Sequence, residues 1–174
     1  MGDALDALAL RRRVLEEGGG FITLPAELST TVGHEEGLIG ACTGSTGVYL
    51  VARVREDADT PGPSMRVAGF LVARVGSLTR MRHAAKLEVM VDRAHRGRGL
   101  GRRLMEACIA WAEGEEGVEK LSLNVFADND AAISLYRRLG FVEEGRRPRE
   151  YKDPDGHYRD DVLMYRFVDG ADPR

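Results

Sequence analysis

The stretch that decides the fold is residues 89–102, which read VMVDRAHRGRGLGR. An apolar strand pattern comes first, a basic turn with three glycines follows, and an amphipathic helix begins at its end. Glycines let a backbone approach a ligand closely, and the unpaired N–H groups of a helix start point outward. Together with the helix dipole and Arg96, Arg98 and Arg102, the turn predicts a cradle for an anion, best suited to a diphosphate.

Three other interpretations of this turn are weaker. A P-loop requires a Gly-Lys pair, which the chain lacks, although TGSTG at residues 43–47 is superficially similar. A dinucleotide-binding fingerprint requires GxGxxG after the first strand of its unit, whereas Gly97, Gly99 and Gly101 are followed by an arginine and preceded by several strands. An ordinary tight turn explains one glycine, but not three glycines with three arginines.

Hydrophobic periodicity around this stretch predicts strands that first pair with one another and then alternate with helices. Helical spacing is found at residues 4–17, 29–42, 99–113 and 129–139. Strand patterns are found at residues 48–54, 66–75, 87–91, 120–126 and 162–168. This order predicts an α/β or α+β fold with a mixed sheet.

Length and composition predict one globular domain over residues 1–174, because domains average about 150 residues. The net charge of −3, with both signs mixed along the chain, argues against a general nucleic-acid binder. No apolar stretch is long enough to span a membrane, and the N-terminal charge order is not that of a signal peptide, so we expect a cytoplasmic protein. Cys42 and Cys108 show neither zinc-site nor disulfide spacing, and we expect no metal.

Two motifs resemble those of the GNAT N-acetyltransferase superfamily. RGRGLG at residues 96–101 is similar to its [RQ]xxGx[GA] signature, whose loop binds the pyrophosphate of acetyl-CoA. NVFADNDAAISLYRRLGF at residues 124–141 is similar to its second motif, Nx₂Ax₃Yx₃GF. The resemblance is strongest over residues 66–167, and residues 151–164 resemble the final hairpin of members that acetylate amino acids and ribosomal proteins.

The resemblance implies a V-splayed mixed sheet of six or seven strands flanked by about four helices, with acetyl-CoA between the fourth and fifth strands. The backbones of Val89 and Val91 would bond the pantetheine, and a bulge at Met90 would turn an N–H towards the thioester oxygen. Asn129 matches the motif asparagine that contacts the cofactor arm. The pyrophosphate loop would comprise Arg96, Gly97, Arg98, Gly99, Leu100, Gly101 and Arg102.

Two residues are candidates for proton transfer in the aminolysis of a thioester. Tyr136 matches the motif tyrosine, and a phenol that stays protonated at pH 7 can donate to the departing thiolate. Its spacing also allows a purely structural role on the apolar face of its helix. Glu88 is the candidate base, although it could instead pair with Lys86 or an arginine. Ribosomal-protein-acetylating relatives carry a glutamate where this chain has Asn124, and asparagine cannot serve as a base.

The sequence therefore predicts an enzyme that moves acetyl from acetyl-CoA to a primary amine by direct attack in a ternary complex. The expected acceptor is a small amine or amino acid, and the alternatives are a protein N-terminus or lysine. A non-catalytic CoA-binding regulatory domain is the rival class. The expected assembly is a homodimer, without nucleic acid or membrane partners. The superfamily usually opens with a strand, so either residues 8–12 form a poor first strand or that strand is missing.

Overall fold

The computed structural model of the protein describes residues 2–18, 20–55 and 65–169. The α-helices in these ranges are α1 (Gly2–Glu16), α2 (Val32–Ala41), α3 (Leu100–Gly114) and α4 (Asp130–Arg138). The strands are β1 (Gly47–Arg55), β2 (Met65–Val75), β3 (Ala84–Val91), β4 (Lys120–Phe126), β5 (Val142–Lys152) and β6 (Tyr158–Phe167). Short 3₁₀ helices lie at Pro25–Glu27, Gly44–Thr46, Thr79–Met81 and Arg93–His95.

The six strands form one mixed sheet in the order β1-β2-β3-β4-β6-β5. Only β3 and β4 are parallel, and their pairing ends at Lys86 and Ser122. Beyond this point β3 remains paired with β2 as far as Val91, and β4 remains paired with β6 as far as Phe126. The sheet therefore opens between β3 and β4, which confirms the predicted V-splayed α/β fold.

No strand precedes α1 in the described part of the chain, and residues 8–12 are helical. In α1 the buried residues Ala7, Leu10 and Val14 follow one another at intervals of three and four residues, which is the spacing of one helix face and not of a strand. The gap that we expected between the fourth and fifth strands consequently lies between β3 and β4.

Strand β5 begins before the predicted hairpin and has no clear apolar alternation, since it reads VEEGRRPREYK. It is an edge strand that pairs only with β6, and its register shifts between Arg147 and Tyr151. This interval holds Pro148, which lacks an N–H, and Arg149, whose φ is +54°. Edge position and irregular pairing accommodate a polar, proline-containing strand that a period-2 pattern does not detect.

The two faces of the sheet carry different cores. On one face α3 and α4 pack Met105, Cys108 and Ile133 against Leu87 and Leu121. On the other face α1 packs against β2 and β3. The buried residues of that second core include Leu10, Val14, Phe70, Val72 and Met90. Since side chains alternate along a strand, odd-numbered residues of β3 face α3 and even-numbered residues face α1.

Candidate active site

A cleft of about 580 Å³ lies where the sheet opens. Residues 86–90 of β3 and 123–126 of β4 form its two sides, and Tyr136 of α4 reaches it. Residues 20–23 and 27–30, which connect α1 to α2, line it from the α1 face, while β5 and β6 contribute Arg147, Tyr151 and Asp161. The cleft is thus open to both faces of the sheet.

The edge of β3 that faces the cleft carries free backbone groups. Asp92 N–H donates to the Ala68 carbonyl at 2.9 Å, and the β2–β3 register has no shift. Because backbone groups alternate sides along a strand, even-numbered residues of β3 bond β2. Leu87, Val89 and Val91 therefore direct their N–H and C=O groups towards the gap, the orientation that the predicted pantetheine contacts of Val89 and Val91 require.

The expected bulge at Met90 is wrong. Met90 lies opposite Phe70 in an uninterrupted ladder, so its N–H points to β2 and not into the cleft. Its side chain is buried in the core beneath α1, although part of it lines the cleft. Any N–H offered to a thioester oxygen must come from a neighbouring odd-numbered residue.

The glycine turn supplies unpaired backbone donors. Gly97 and Gly99 have φ values of +72° and +82°, and a Cβ at either position would meet no atom within 4 Å, so conformation and not space requires glycine there. Gly99 caps α3 without a side chain. The N–H groups of Leu100, Gly101 and Arg102 consequently have no acceptor within the helix.

The three arginines of the turn have different surroundings. Arg96 donates from Nε to the Val91 carbonyl at 2.9 Å and lies 2.5 Å from a Glu17 carboxylate oxygen. Arg102 pairs at 2.7 Å with the carboxylate one helical turn further along α3. Arg98 is exposed and has no ion-pair partner among the described residues. The predicted cradle thus consists of backbone donors and Arg98, whereas Arg96 fastens the turn to β3.

The Tyr136 side chain is buried on α4 beside Phe141, with 6.1 Å between ring centroids. Burial raises the pKa of Tyr136 to about 12. Tyr136 lines the cleft. No described residue forms a hydrogen bond with the Tyr136 hydroxyl. The hydroxyl is therefore a protonated donor that is available to a ligand.

Asn129 lies at the start of α4, where its side-chain oxygen accepts the Ala132 N–H at 3.2 Å. It also lines the cleft. Capping uses one lone pair of the oxygen, and the amide nitrogen remains as a donor for the predicted cofactor contact.

Glu88 belongs to a charged cluster on the α1 face. Arg11 donates to Glu88 at 2.7 Å and to Glu35 at 2.8 Å. Glu35 is fully buried and also accepts the Tyr49 hydroxyl at 3.2 Å. Burial is the largest of the effects that raise the pKa of Tyr49, and the Glu35 carboxylate adds to it. Arg11 therefore links the buried carboxylate of Glu35 to the half-exposed carboxylate of Glu88, which lines the cleft.

Asn124, the position of the missing glutamate, also faces a carboxylate. Its amide nitrogen donates to Asp161 at 2.5 Å, and both residues line the cleft. This bond directs the amide nitrogen of Asn124 to Asp161 and leaves the Asn124 oxygen for another donor.

Sequence reasoning missed most of the α1 face of the cleft. No spacing signal separates Glu35 from the adjacent Glu36, and Arg11 lies among three consecutive arginines. Residues 20–30 carry no motif at all. Their role follows from the topology, which brings α1, α2 and β3 together.

Among the described residues, no group of three or more His, Cys, Asp and Glu side chains could hold a metal ion. A helix of the length and apolarity needed to cross a membrane is also not found in the ranges that the structure describes.

A sheet that splays beside a glycine turn, an uncapped helix start and a buried tyrosine defines an α/β domain built to bind a phosphorylated ligand in a two-sided cleft. The chain belongs to the acetyltransferase (GNAT) family, whose profile matches residues 23–141. The N-alpha-acetyltransferase RimI of Mycobacterium tuberculosis is 40% identical over 92 residues, which are 50% of this chain and 55% of that protein.

Two further comparisons agree. The L-amino acid N-acetyltransferase AaaT of Escherichia coli is 33% identical over 116 residues, which are 63% of this chain and 71% of that protein. The structure of a GNAT acetyltransferase from Streptococcus pneumoniae has a TM-score of 0.84 and 26% identity, and the match covers 95% of this chain and 94% of that one. The chain spans about half the length of the mycobacterial relative.

Proposed function

We propose that this protein catalyses the acetyl-CoA-dependent N-acetylation of a primary amine. The proposal rests on the cleft between β3 and β4. The free edge of β3, the Tyr136 hydroxyl and the Glu88 carboxylate all line this cleft. Membership of an acetyltransferase family and the activities of the RimI and AaaT relatives support it.

The residues present fit acetyl-CoA, which supplies the acetyl group as a thioester. The N–H groups of Leu100, Gly101 and Arg102, together with Arg98, would hold its diphosphate. The backbone groups of Val89 and Val91 that face the gap would bond the amides of its arm. The Val91 carbonyl already accepts one hydrogen bond, from Arg96 Nε. The Asn129 amide nitrogen would add a donor.

Proton transfer is divided between the two sides of the cleft. Glu88 lies on the α1 face and would take a proton from the acceptor ammonium, directly or through water. Tyr136 lies on α4 and would protonate the departing thiolate. The amine would attack directly in the ternary complex, so no covalent intermediate on the enzyme is required.

The test is the release of free thiol from acetyl-CoA in the presence of a panel of amino acids, polyamines and peptides. The expected result is amine-dependent release, strongly reduced in Glu88→Gln and Tyr136→Phe. Binding of acetyl-CoA without thiol release for any amine would overturn the proposal in favour of a non-catalytic CoA-binding domain.

The RimI relative favours a second acceptor class, a protein N-terminus. We also propose a single domain over residues 1–174 that works in the cytoplasm as a homodimer. Light scattering coupled to size-exclusion chromatography tests the assembly, and a monomeric mass would contradict it.

A further inference from the structure

Four cationic side chains line the cleft, and they differ in their partners. Arg11 pairs with Glu88, and Arg147 pairs with acidic residues of β5 and β6. Arg74 and Lys86 have no acidic partner among the described residues. The cleft therefore contains two positive charges that the described protein does not neutralise.

Arg74 and Lys86 lie directly opposite each other in the β2–β3 register. Opposed residues of an antiparallel pair project from the same face, and like charges in this arrangement are destabilising. Both residues are exposed to the cleft. An anion bound between them would remove this repulsion.

This pair is separate from the diphosphate cradle. Lys86 is five residues from Val91 along β3, about 16 Å at the usual rise of a strand. The cradle follows Val91 at the start of α3, on the opposite face of the sheet. The two cations therefore face the acceptor side of the cleft.

An acid and a cationic pair stand side by side on this face. Glu88 follows Lys86 by two residues, so their Cα atoms are about 6.7 Å apart and their side chains leave from the same face. The structure forms no ion pair between them, and Glu88 pairs with Arg11 instead. Adjacent negative and positive groups suit a ligand that carries both an ammonium and a carboxylate.

The rest of the α1 face is partly apolar. Leu15, Phe21, Leu28 and Leu38 line the cleft from α1, α2 and the segment between them. A ligand whose charged end lies at Glu88 and Lys86 would place an uncharged group against this wall.

We infer that the acceptor is a free α-amino acid with an apolar side chain, whose carboxylate binds Arg74 and Lys86 while its ammonium lies at Glu88. This inference rests on the proposed function. A peptide N-terminus carries an uncharged amide in place of that carboxylate and would not neutralise the pair.

The test compares L-leucine with L-leucinamide and leucylalanine, in wild type, Lys86→Met and Arg74→Met. Thiol release gives kcat/KM, and calorimetric titration in the presence of CoA gives binding without turnover. Arg80→Gln is the matched control, because it removes a positive charge from the exposed turn after β2, outside the cleft.

Wild type should prefer leucine over both uncharged derivatives by about 10- to 100-fold, the usual strength of one or two charged hydrogen bonds. The preference should disappear in Lys86→Met, weaken in Arg74→Met and persist in Arg80→Gln. Equal use of leucine and leucinamide, or an equal loss for both in Lys86→Met, would overturn the inference. Leucine binding without thiol release from any amine of the panel would keep this subsite and refute catalysis. Thiol release with other amines, but neither binding nor use of leucine, would refute this subsite and keep the proposed function.

Discussion

Tyr136 combines a ring that packs in the core with a hydroxyl that we propose as the proton donor to the departing thiolate. Its ring packs in the core beside Phe141, as the helical spacing predicts, while its hydroxyl is left without a described partner at the cleft. Burial raises its pKa to about 12, so the hydroxyl keeps its proton at any physiological pH. The sequence alone could not distinguish a structural from a catalytic Tyr136, because both interpretations place it on the apolar face of its helix.

Replacement of Tyr136 by phenylalanine keeps the ring and removes the donor. We expect kcat at saturating substrates to fall about 100-fold, with little change in acetyl-CoA affinity, since general acid catalysis contributes at least this factor. Because the pKa lies near 12, the ratio of wild-type to variant kcat should stay constant from pH 7 to 10. Near-normal turnover of Tyr136→Phe would leave water or the substrate ammonium as the donor.

Arg11 is the ion-pair partner of Glu35. Glu35 is fully buried, and its other described partner is the Tyr49 hydroxyl. Loss of one member of a buried ion pair leaves an uncompensated charge, whereas replacement of both members by apolar residues is often close to neutral.

Arg11→Met should therefore lower the free energy of unfolding by about 3–5 kcal/mol. The double variant Arg11→Met, Glu35→Met should regain most of that loss. Urea denaturation monitored by circular dichroism measures both. If the double variant were as unstable as Arg11→Met, the buried pair would not be the source of the loss.

At the level of elements, the start of α3 has no side-chain cap, and we propose that its unpaired N–H groups bind the diphosphate. Most helices begin with a side chain that caps the free N–H groups, but Gly99 leaves them open. This feature was predictable from residues 89–102, because glycine spacing and helix start are local properties.

A carboxylate introduced into this first turn should compete with a bound diphosphate. Gly101 tolerates a Cβ, since the nearest atoms, on Leu135 and Val91, would lie 3.7 Å away. An acidic residue near a helix N-terminus also stabilises the free protein. Gly101→Asp should therefore fold normally but lose the rise in Tm that acetyl-CoA gives the wild type.

Gly101→Asn is the control, because asparagine has the shape of aspartate without its charge. This variant should keep more of the rise in Tm that acetyl-CoA causes. A thermal melt with increasing acetyl-CoA measures all three proteins. If acetyl-CoA raised the Tm of Gly101→Asp as much as that of the wild type, the diphosphate would not bind at this helix start.

Elements whose signal is local were predictable, and those that depend on tertiary context were not. Strands β2 and β4 have apolar patterns because neighbours cover them, so periodicity locates both. Strand β5 is a polar edge strand without such a pattern. The regular backbone at Met90 depends on its pairing with β2, which no motif encodes.

At the scale of the whole molecule, the sheet separates the two binding sites that we propose, one for the diphosphate and one for the acceptor. The diphosphate cradle follows β3 on the α3 face, whereas Arg11, Glu35 and Glu88 lie on the α1 face. The motifs predicted the first side because it is contiguous in sequence. The second side combines segments up to 77 residues apart, so it became visible only in the folded chain.

Burial of Tyr136 should also make the stability of the whole fold depend on alkaline pH. The folded-state pKa of about 12 exceeds the ordinary value of 10.0, so its stabilising contribution is complete below pH 10 and is lost as pH rises towards 12. This shift corresponds to about 2–3 kcal/mol.

Unfolding free energies of wild type should therefore fall more steeply between pH 10 and 12 than those of Tyr136→Phe. Some alkaline dependence should remain in the variant, because burial also raises the pKa of Tyr49. Urea titrations at several pH values measure this difference. Parallel curves for the two proteins would contradict the burial argument.

A product balance by mass spectrometry, with isotopically labelled acetyl-CoA and a mixture of L-amino acids, tests direct acetylation of the amine most sharply. Direct transfer predicts N-acetylated amino acid in an amount equal to the thiol released, with no label on the protein. It also predicts that both signals vanish together in Gly101→Asp and fall together in Tyr136→Phe. Thiol release without N-acetylated product, or neither signal from a protein that binds acetyl-CoA, would contradict it.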